Sequence, residues 1–234
     1  MKEKSRSAVR SGGILIQAVD ISPQRCYNES NETQRRYPMK KLLVTGFDPF
    51  GGESVNPARE AVLRLPDAVG GYEITKLEIP TVFGLAAETV LQAAEELCPH
   101  AILCVGQAGG RSAVTPEVVA INLREASIPD NAGNIPVNTP VVENAPAAYF
   151  ATLPVRDMVQ AVKECGIPCT LSYSAGTFVC NDLLYTLLHR YRDTDVRVGF
   201  VHIPYLPEQA GEGVPSMDPD TVVEALTAMI GVLN

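Results

Sequence analysis

The residue best placed for covalent chemistry is Cys180, in the stretch SYSAGTFVCND that runs from Ser172 to Asp182. Small residues precede it in a short turn, and the pattern predicts that Cys180 begins a helix. The free backbone N–H groups and the dipole at a helix N-terminus favour a thiolate over a thiol. The same N–H groups can donate to an oxyanion on an attacked carbonyl. Cys180 is therefore a candidate nucleophile, although most unpaired cysteines are core residues.

The five other cysteines occupy settings that do not favour reactivity. They lie in or at the start of predicted strands, near helix C-termini or in the N-terminal segment: Cys104, Cys169, Cys98, Cys165 and Cys26. No CxxC pair occurs among them. The spacing therefore excludes a zinc ribbon and a thioredoxin motif.

A catalytic thiol needs a base, and the chain has three histidines. His100 precedes its predicted strand and so falls at the opposite end of the sheet. His189 lies further along the same predicted helix as Cys180, about 13 Å away along the axis. Elimination leaves His202, near the carboxyl end of a predicted strand, as the partner of Cys180. The alternative is that His202 is a hydrogen-bonded histidine of the core.

A third group could orient the imidazole. Glu117 stands at the edge of the apolar run EVVAINL, just past a glycine-rich loop. A carboxylate in such apolar sequence either has a partner or faces solvent. Two aromatic residues, Phe47 and Phe50, lie in the loop GFDPFGG and suggest a pocket for a flat, neutral group. The alternative is that both rings pack beneath the loop.

These residues follow strands of an alternating pattern, in which apolar runs alternate with segments of helical periodicity. Strands are predicted at 41–47, 72–79, 101–106, 117–123, 168–174 and 196–204, and helices at 56–65, 82–97, 154–166, 179–191 and 218–234. This order predicts a single α/β domain with a mostly parallel or mixed central sheet and helices on both faces. Ligands of open α/β sheets bind beyond the carboxyl ends of the strands, which is where the candidate residues fall.

Composition and charge exclude several classes of function. The net charge of −8 argues against a nucleic-acid partner. No apolar run approaches the ~18 residues that span a bilayer, and a cytoplasmic location is expected. The loops GFDPFGG and GQAGGR do not match the phosphate-binding patterns, so a nucleotide enzyme is a weak alternative.

Residues 1–38 carry seven basic and four acidic side chains, against twelve basic and twenty-three acidic side chains in the remainder. They are predicted to form a poorly ordered extension ahead of an α/β domain at 39–234.

Five motifs in order resemble the pyroglutamyl peptidase I family of cysteine peptidases: LLVTGFDPFGGESVNP, VGQAGGRSAVTPEVVAIN, PAAYFATLP, SYSAGTFVCNDLLY and GFVHIPYLPEQ. The resemblance runs from about Lys40 to the C-terminus. It implies removal of N-terminal pyroglutamyl (5-oxoprolyl) residues from peptides, through a thioester acyl-enzyme, by a metal-free and cofactor-free protein that is commonly a homotetramer. The implied triad is Cys180, His202 and Glu117. The implied substrate-binding residues are Phe47, Phe50, Asn56, Gln107, Phe178 and Val179.

One segment departs from the family pattern. Ahead of PDN the family usually has Asp-Ala-Arg, whereas this chain has Glu125, Ala126 and Ser127. The resemblance places the missing arginine close to the catalytic site. The departure therefore favours, as the alternative to an active peptidase, a catalytically weakened member that binds pyroglutamyl ends. Arg124 is on a different part of the turn and is not expected to substitute.

Overall fold

The fold was examined in a computed structural model, which describes residues 39–233. The extension predicted for residues 1–38 lies outside these residues. The strands are β1 Lys40–Phe47, β2 Ala68–Val69, β3 Tyr72–Ile79, β4 Ala101–Gln107, β5 Thr115–Pro116, β6 Val119–Ile121, β7 Ala148–Phe150 and β8 Arg197–Ile203. The helices are α1 Pro57–Arg64, α2 Leu85–Leu97, α3 Val155–Glu164, α4 Val179–Tyr191 and α5 Pro219–Gly231.

The central sheet is six-stranded, in the order β2-β3-β1-β4-β8-β5. Its four inner strands, β3, β1, β4 and β8, are parallel, and the two short edge strands pair antiparallel. Strands β6 and β7 form a separate two-stranded sheet. The predicted mixed α/β sheet is therefore confirmed, with the strand order reversing between β1 and β4, a topological switch point where ligands commonly bind.

Alternate side chains of the inner strands feed two cores, one on each face of the sheet. On β1, Leu42 and Val44 belong to the core that α1, α3 and α5 cover, whereas Leu43 belongs to the core under α2 and α4. The inner strands are apolar on both faces because both faces are covered by helices. In the described part of the chain, no helix is long and apolar enough to cross a bilayer.

The prediction of a strand at 168–174 is wrong. This segment is extended, but it makes only isolated bridges, Val114 with Cys169 and Glu117 with Ser172. Proline occupies one position on each side, Pro116 and Pro168, and proline has no N–H to donate to a ladder. The backbone bonds that remain still hold the segment beside the sheet.

The single strand predicted at 117–123 is also corrected. The chain pairs with β8 at β5, and by β6 it has left the central sheet to pair with β7. Glu117 lies between the two strands, where its N–H donates to the carbonyl of Phe200 on β8 at 2.9 Å. Helix α4, by contrast, begins and ends at the predicted residues.

Candidate active site

A cavity of about 290 Å³ opens at the carboxyl ends of the parallel strands. The loops after β1, β3 and β4, the end of β8 and the start of α4 all contribute to its wall. Its lining residues are Phe47, Phe50, Asn56, Thr81, Gln107, Ala108, Arg111, Ser174, Ala175, Gly176, Phe178, Cys180 and His202. The cavity therefore lies where the sequence predicts it, and it brings most of the candidate residues together.

Cys180 is the second residue of α4, and its sulfur lies at the cavity wall. The N-cap residue, Phe178, makes no side-chain capping bond to the helix. The unpaired N–H groups of the first turn therefore point out of the N-terminus of α4. A carbonyl oxygen of a bound ligand would be held there.

The pKa of the Cys180 thiol differs from what its place at a helix start predicts. Burial, together with the negative charge of Glu117 and the neighbouring Cys104, raises the pKa of the Cys180 thiol to about 12. Arg111 acts in the opposite direction but does not outweigh burial. The helix dipole therefore does not outweigh burial, and a reaction through this sulfur would need a base to take the thiol proton.

His202 and Glu117 form a buried pair beside this thiol. Nδ1 of His202 lies 2.7 Å from Oε1 of Glu117, and the two residues are 4% and 0% exposed. Because a carboxylate accepts from Nδ1–H, Nε2 is the unprotonated nitrogen that can accept a proton. The pair therefore has the arrangement of an oriented general base.

The electrostatics of the pair favour a neutral imidazole beside a carboxylate. Burial lowers the pKa of His202, and the opposing effect of Glu117 only partly offsets it. Burial raises the pKa of Glu117, but hydrogen bonds from His202, Ser172 and Arg111 and the charge of His202 outweigh burial and bring this pKa below its usual value. At neutral pH His202 is therefore in the form that can accept the proton of the thiol.

The two other histidines lie outside the cavity, as predicted. Nδ1 of His100 accepts from the N–H of Lys41, at the opposite end of the sheet. His189 lies 2.8 Å from the hydroxyl of Tyr149, far along α4. Elimination by position thus selected the one histidine that contacts the candidate carboxylate.

Aromatic rings form the apolar wall of the cavity. The rings of Phe50 and Phe178 are 6.2 Å apart, and Phe83 packs edge-on against Phe178 at 5.2 Å. Phe47 is 2% exposed and supports this wall from β1. Val179, a predicted substrate-binding residue, instead packs in the core under α2 and α4 and is not among the lining residues. The difference arises because successive side chains of an α-helix point about 100° apart, so Val179 can face the core while Cys180 reaches the cavity.

The loop that carries Phe50 is held by polar contacts. Oδ1 of Asp48 accepts from the N–H of Thr81 at 2.7 Å, and Nδ2 of Asn131 donates to the carbonyl of Pro49 at 2.9 Å. Gly51 and Gly52 follow with φ of 66° and 86°, a backbone conformation that favours glycine. The aromatic wall is therefore fixed from two neighbouring loops.

The two predicted amide residues have different environments. Asn56 caps α1, since its Oδ1 accepts from the N–H of Ala58 and its Nδ2 donates to the carbonyl of Asp48. Oε1 of Gln107 is buried and has no hydrogen-bond partner among the described residues. Because buried acceptors are normally paired, Gln107 is the lining residue with an acceptor available to a ligand N–H.

Arg111 is a lining residue that the sequence reasoning missed. Its Nη1 donates to Oε1 of Glu117 at 2.8 Å and to Oγ1 of Thr115 at 2.5 Å, and its Nη2 donates to the carbonyl of Ser174 at 3.2 Å. The signal was available, because GQAGGR follows a strand at the ligand-binding edge. Within this motif the resemblance implied a role for Gln107 alone.

The start of α4 is anchored by the two residues that follow Cys180. Asn181 accepts from the N–H of Ile121 and donates to backbone carbonyls of the 121–123 segment. Asp182 is fully buried, accepts from the N–H of Gly84 at 2.7 Å and pairs with Arg124 at 2.5 Å. Arg124 is thus engaged with Asp182, in agreement with the expectation that it does not take the place of the missing arginine.

A close approach of β4 to Cys180 leads to the first prediction. A Cβ built on Gly106 would lie 2.7 Å from the ring of Phe200 and 3.1 Å from Sγ of Cys180. We expect Gly106→Ala to lower the free energy of unfolding by about 1–3 kcal/mol, as for an overpacked core, and to lower kcat by displacing the sulfur. Thermal unfolding and steady-state kinetics measure both effects. Gly231→Ala is the matched control, since nothing lies within 4 Å of its Cβ; equal behaviour of the two variants would contradict this packing.

Comparison with known proteins gives one consistent result. The sequence pattern of the family described as "Pyroglutamyl peptidase" matches residues 40–234. The pyrrolidone-carboxylate peptidase of Levilactobacillus brevis is 54% identical over 195 residues, 81% of this chain and 95% of the relative. That of Escherichia fergusonii is 52% identical over 200 residues, 83% of this chain and 94% of the relative. The crystal structure of Bacillus amyloliquefaciens pyroglutamyl peptidase I superposes with a TM-score of 0.81 at 47% identity, covering 83% of this chain and 96% of that one.

Proposed function

The chain belongs to the pyroglutamyl peptidase family, and on this premise we propose that it removes the N-terminal pyroglutamyl residue from peptides as a cysteine peptidase. Cys180 is the nucleophile, His202 the general base and acid, and Glu117 the group that orients His202. One observation carries the proposal: a thiol and a carboxylate-bound imidazole line the same aromatic-walled cavity.

The reaction proceeds in two acyl-transfer steps. Nε2 of His202 takes the thiol proton while Sγ of Cys180 attacks the pyroglutamyl carbonyl. The N–H groups at the start of α4 stabilise the oxyanion that forms. His202 then gives its proton to the departing amine, which leaves a thioester on Cys180. Water, deprotonated by His202, cleaves the thioester and restores the thiol.

The cavity suits the chemistry of the substrate end. A pyroglutamyl residue has no free α-amine and no charge, so an aminopeptidase-like carboxylate would find no ammonium to bind. The rings of Phe50 and Phe178 offer apolar surface to the faces of the lactam. The unpartnered Oε1 of Gln107 accepts the lactam N–H, which would satisfy both groups.

Hydrolysis of paired reporter amides tests the proposed function. The purified protein is given a pyroglutamyl amide and the matched prolyl amide, which lacks the lactam carbonyl and carries a charged amine. We expect release of the reporter amine from the pyroglutamyl compound and little from the prolyl one. Equal release from both, or release from neither, would contradict the proposal.

The departure at Ser127 leads to the second prediction. The N–H of Glu125 donates to the carbonyl of Thr177, and Oγ1 of Thr177 donates back to the carbonyl of Glu125. These bonds hold the segment of Ser127 beside the loop that leads to Cys180. We expect Ser127→Arg to raise kcat by roughly tenfold with little change in KM, because a cation near the oxyanion acts mainly in the transition state.

Kinetics of the Ser127→Arg and Ser127→Lys variants measure this effect. The unmutated protein binding a pyroglutamyl peptide without turnover, together with turnover in Ser127→Arg, would favour the catalytically weakened alternative. An unchanged kcat in both variants would contradict a role for this position.

The proposal extends to organisation and location. The peptidase domain is taken as residues 39–234, which the family match from residue 40 supports, with residues 1–38 as an extension. A cytoplasmic homo-oligomer, in particular a tetramer, is what the family resemblance implies. Exposed apolar side chains such as Phe150 and Val137 offer surface for contacts between copies.

A further inference from the structure

The guanidinium group of Arg111 links the Glu117 carboxylate to the segment before Cys180. On one side it donates to the Glu117 carboxylate and to Thr115, and on the other to the carbonyl of Ser174. Ser174 belongs to the segment that leads through Ala175 and Gly176 to the nucleophile. The side chain of Arg111 is 29% exposed, and Arg111 lines the cavity. Arg111 shares the Glu117 carboxylate with the side chain of Ser172, which also bonds to the backbone of Ser174.

The contact with Glu117 falls on a particular oxygen. Arg111 and Nδ1 of His202 both donate to Oε1, at 2.8 and 2.7 Å. Oε2 is buried and no hydrogen bond of normal geometry reaches it in the described part of the chain, whereas the side chain of Ser172 also interacts with the carboxylate and lowers the pKa of Glu117. Rotation of the carboxylate would divide its two donors between both oxygens without adding a hydrogen bond, and it would move the oxygen that Nδ1 of His202 contacts. The fork of Arg111, held also by Thr115 and Ser174, keeps the carboxylate in the orientation that serves His202.

We propose that Arg111 is a positioning residue of the peptidase site, which keeps Glu117 ionised and oriented and keeps His202 neutral until it receives the thiol proton. This inference rests on the proposed function. Arg111 acts through Glu117 and His202, whereas His202 and Cys180 carry out the chemistry.

The charges around His202 predict the direction in which loss of Arg111 shifts the pH dependence of activity. The titratable or charged side chains that face His202 are Glu117, Arg111 and the thiol of Cys180. A buried imidazole beside a lone carboxylate would hold a proton up to higher pH, because the ion pair is poorly screened there. Arg111 opposes that proton by charge repulsion, which lowers the pKa of His202. Without Arg111 the Glu117–His202 pair takes up its proton at higher pH, whichever of the two residues holds it.

The test compares two substitutions of Arg111 with one of Arg124. Arg111→Gln removes the charge, and we expect the acid limb of kcat/KM to move upward by about one pH unit. Arg111→Lys keeps the charge but lacks the planar fork that spans the carboxylate of Glu117, Thr115 and Ser174. For this variant we expect an acid limb within about 0.3 units of the unmutated protein, a kcat lower by about tenfold and a smaller change in KM.

Arg124→Gln is the matched control. Arg124 also pairs with a fully buried carboxylate, Asp182, and its side chain is 26% exposed, close to the 29% of Arg111. It does not contact Glu117 or His202. We expect its kcat to fall, since the start of α4 loses an anchor, while its acid limb stays in place. An upward shift common to Arg111→Gln and Arg124→Gln would show a general loosening of the site and would overturn the proposal.

A second measurement separates this inference from the proposed function. The rate at which iodoacetamide modifies Cys180, read residue by residue by mass spectrometry, depends on the same base but needs no substrate. We expect its acid limb to move upward in Arg111→Gln as well. If the acid limb of alkylation moves upward but the protein hydrolyses no pyroglutamyl amide, the proposed function is contradicted and the role of Arg111 is retained. Acid limbs that stay in place for both hydrolysis and alkylation would overturn the role of Arg111, even with full peptidase activity.

If Arg111→Gln does not fold, Arg111→Lys decides the question. A kcat of Arg111→Lys equal to that of the unmutated protein would overturn the proposal.

Discussion

Replacing Cys180 with serine is expected to lower kcat for a pyroglutamyl amide by about 10³-fold or more, since loss of a nucleophile removes most of the catalysis of an acyl-transfer enzyme. The hydroxyl of serine has a far higher pKa than a thiol, and a pair built to take a thiol proton would activate it poorly. Binding should persist, because the aromatic wall and Gln107 are unchanged. Steady-state kinetics and isothermal titration with a pyroglutamyl peptide measure the two effects separately.

Cys165→Ser is the control for this substitution. Cys165 is exposed at the end of α3, away from the cavity, and it is unpaired. We expect its kinetics to equal those of the unmutated protein. If Cys180→Ser retained turnover, or if Cys165→Ser lost it, the assignment of the nucleophile would fail.

Replacing His202 with glutamine is expected to have the second largest effect, a fall in kcat of about 10²–10⁴-fold. Glutamine can still donate toward Glu117 but cannot take the proton of Cys180. The partly buried thiol, with its pKa raised to about 12, then depends on solvent to lose its proton. Alkylation of Cys180 at neutral pH should slow in parallel with hydrolysis, whereas alkylation of the exposed Cys165 should not change.

The pH dependence of activity gives a further test of the role of His202. Burial lowers the pKa of His202 from its ordinary 6.5. Activity should therefore be present above the pKa of the imidazole and be lost as the pH falls through a value below 6.5, where His202 becomes protonated. In His202→Gln this acid limb should disappear, while His189→Gln, which alters the bond to Tyr149 at the far end of α4, should keep it. An acid limb that survives in His202→Gln would assign it to another group.

The position of the cavity could be predicted from the sequence because ligands of open α/β sheets bind at the carboxyl ends of the strands. Cys180 and His202 were predicted from their places at a helix start and a strand end, and both line the cavity. Glu117 was uncertain from the sequence alone, since an isolated carboxylate in apolar sequence has no visible partner. Its contact with His202 depends on the pairing of β5 with β8, a non-local feature.

The properties that the sequence did not predict all depend on packing between distant segments. The pKa of Cys180 is set by burial and by Glu117, which outweigh the local helix dipole. Arg111 meets Ser174 across a gap of 63 residues in the chain, so no local pattern indicates the contact. The strand predicted at 168–174 has the right composition, but its partner segment contains a proline and the ladder is interrupted.

The thioester on Cys180 is the most direct test of the proposed mechanism. The protein is mixed with an excess of a pyroglutamyl ester or amide, quenched with acid within the first turnovers, digested and analysed by mass spectrometry. We predict a pyroglutamyl group attached to the peptide that contains Cys180, present at the quench and absent after the substrate is exhausted. Rapid hydrolysis with no acyl group on Cys180 at any time, or with the group on another residue, would contradict the mechanism.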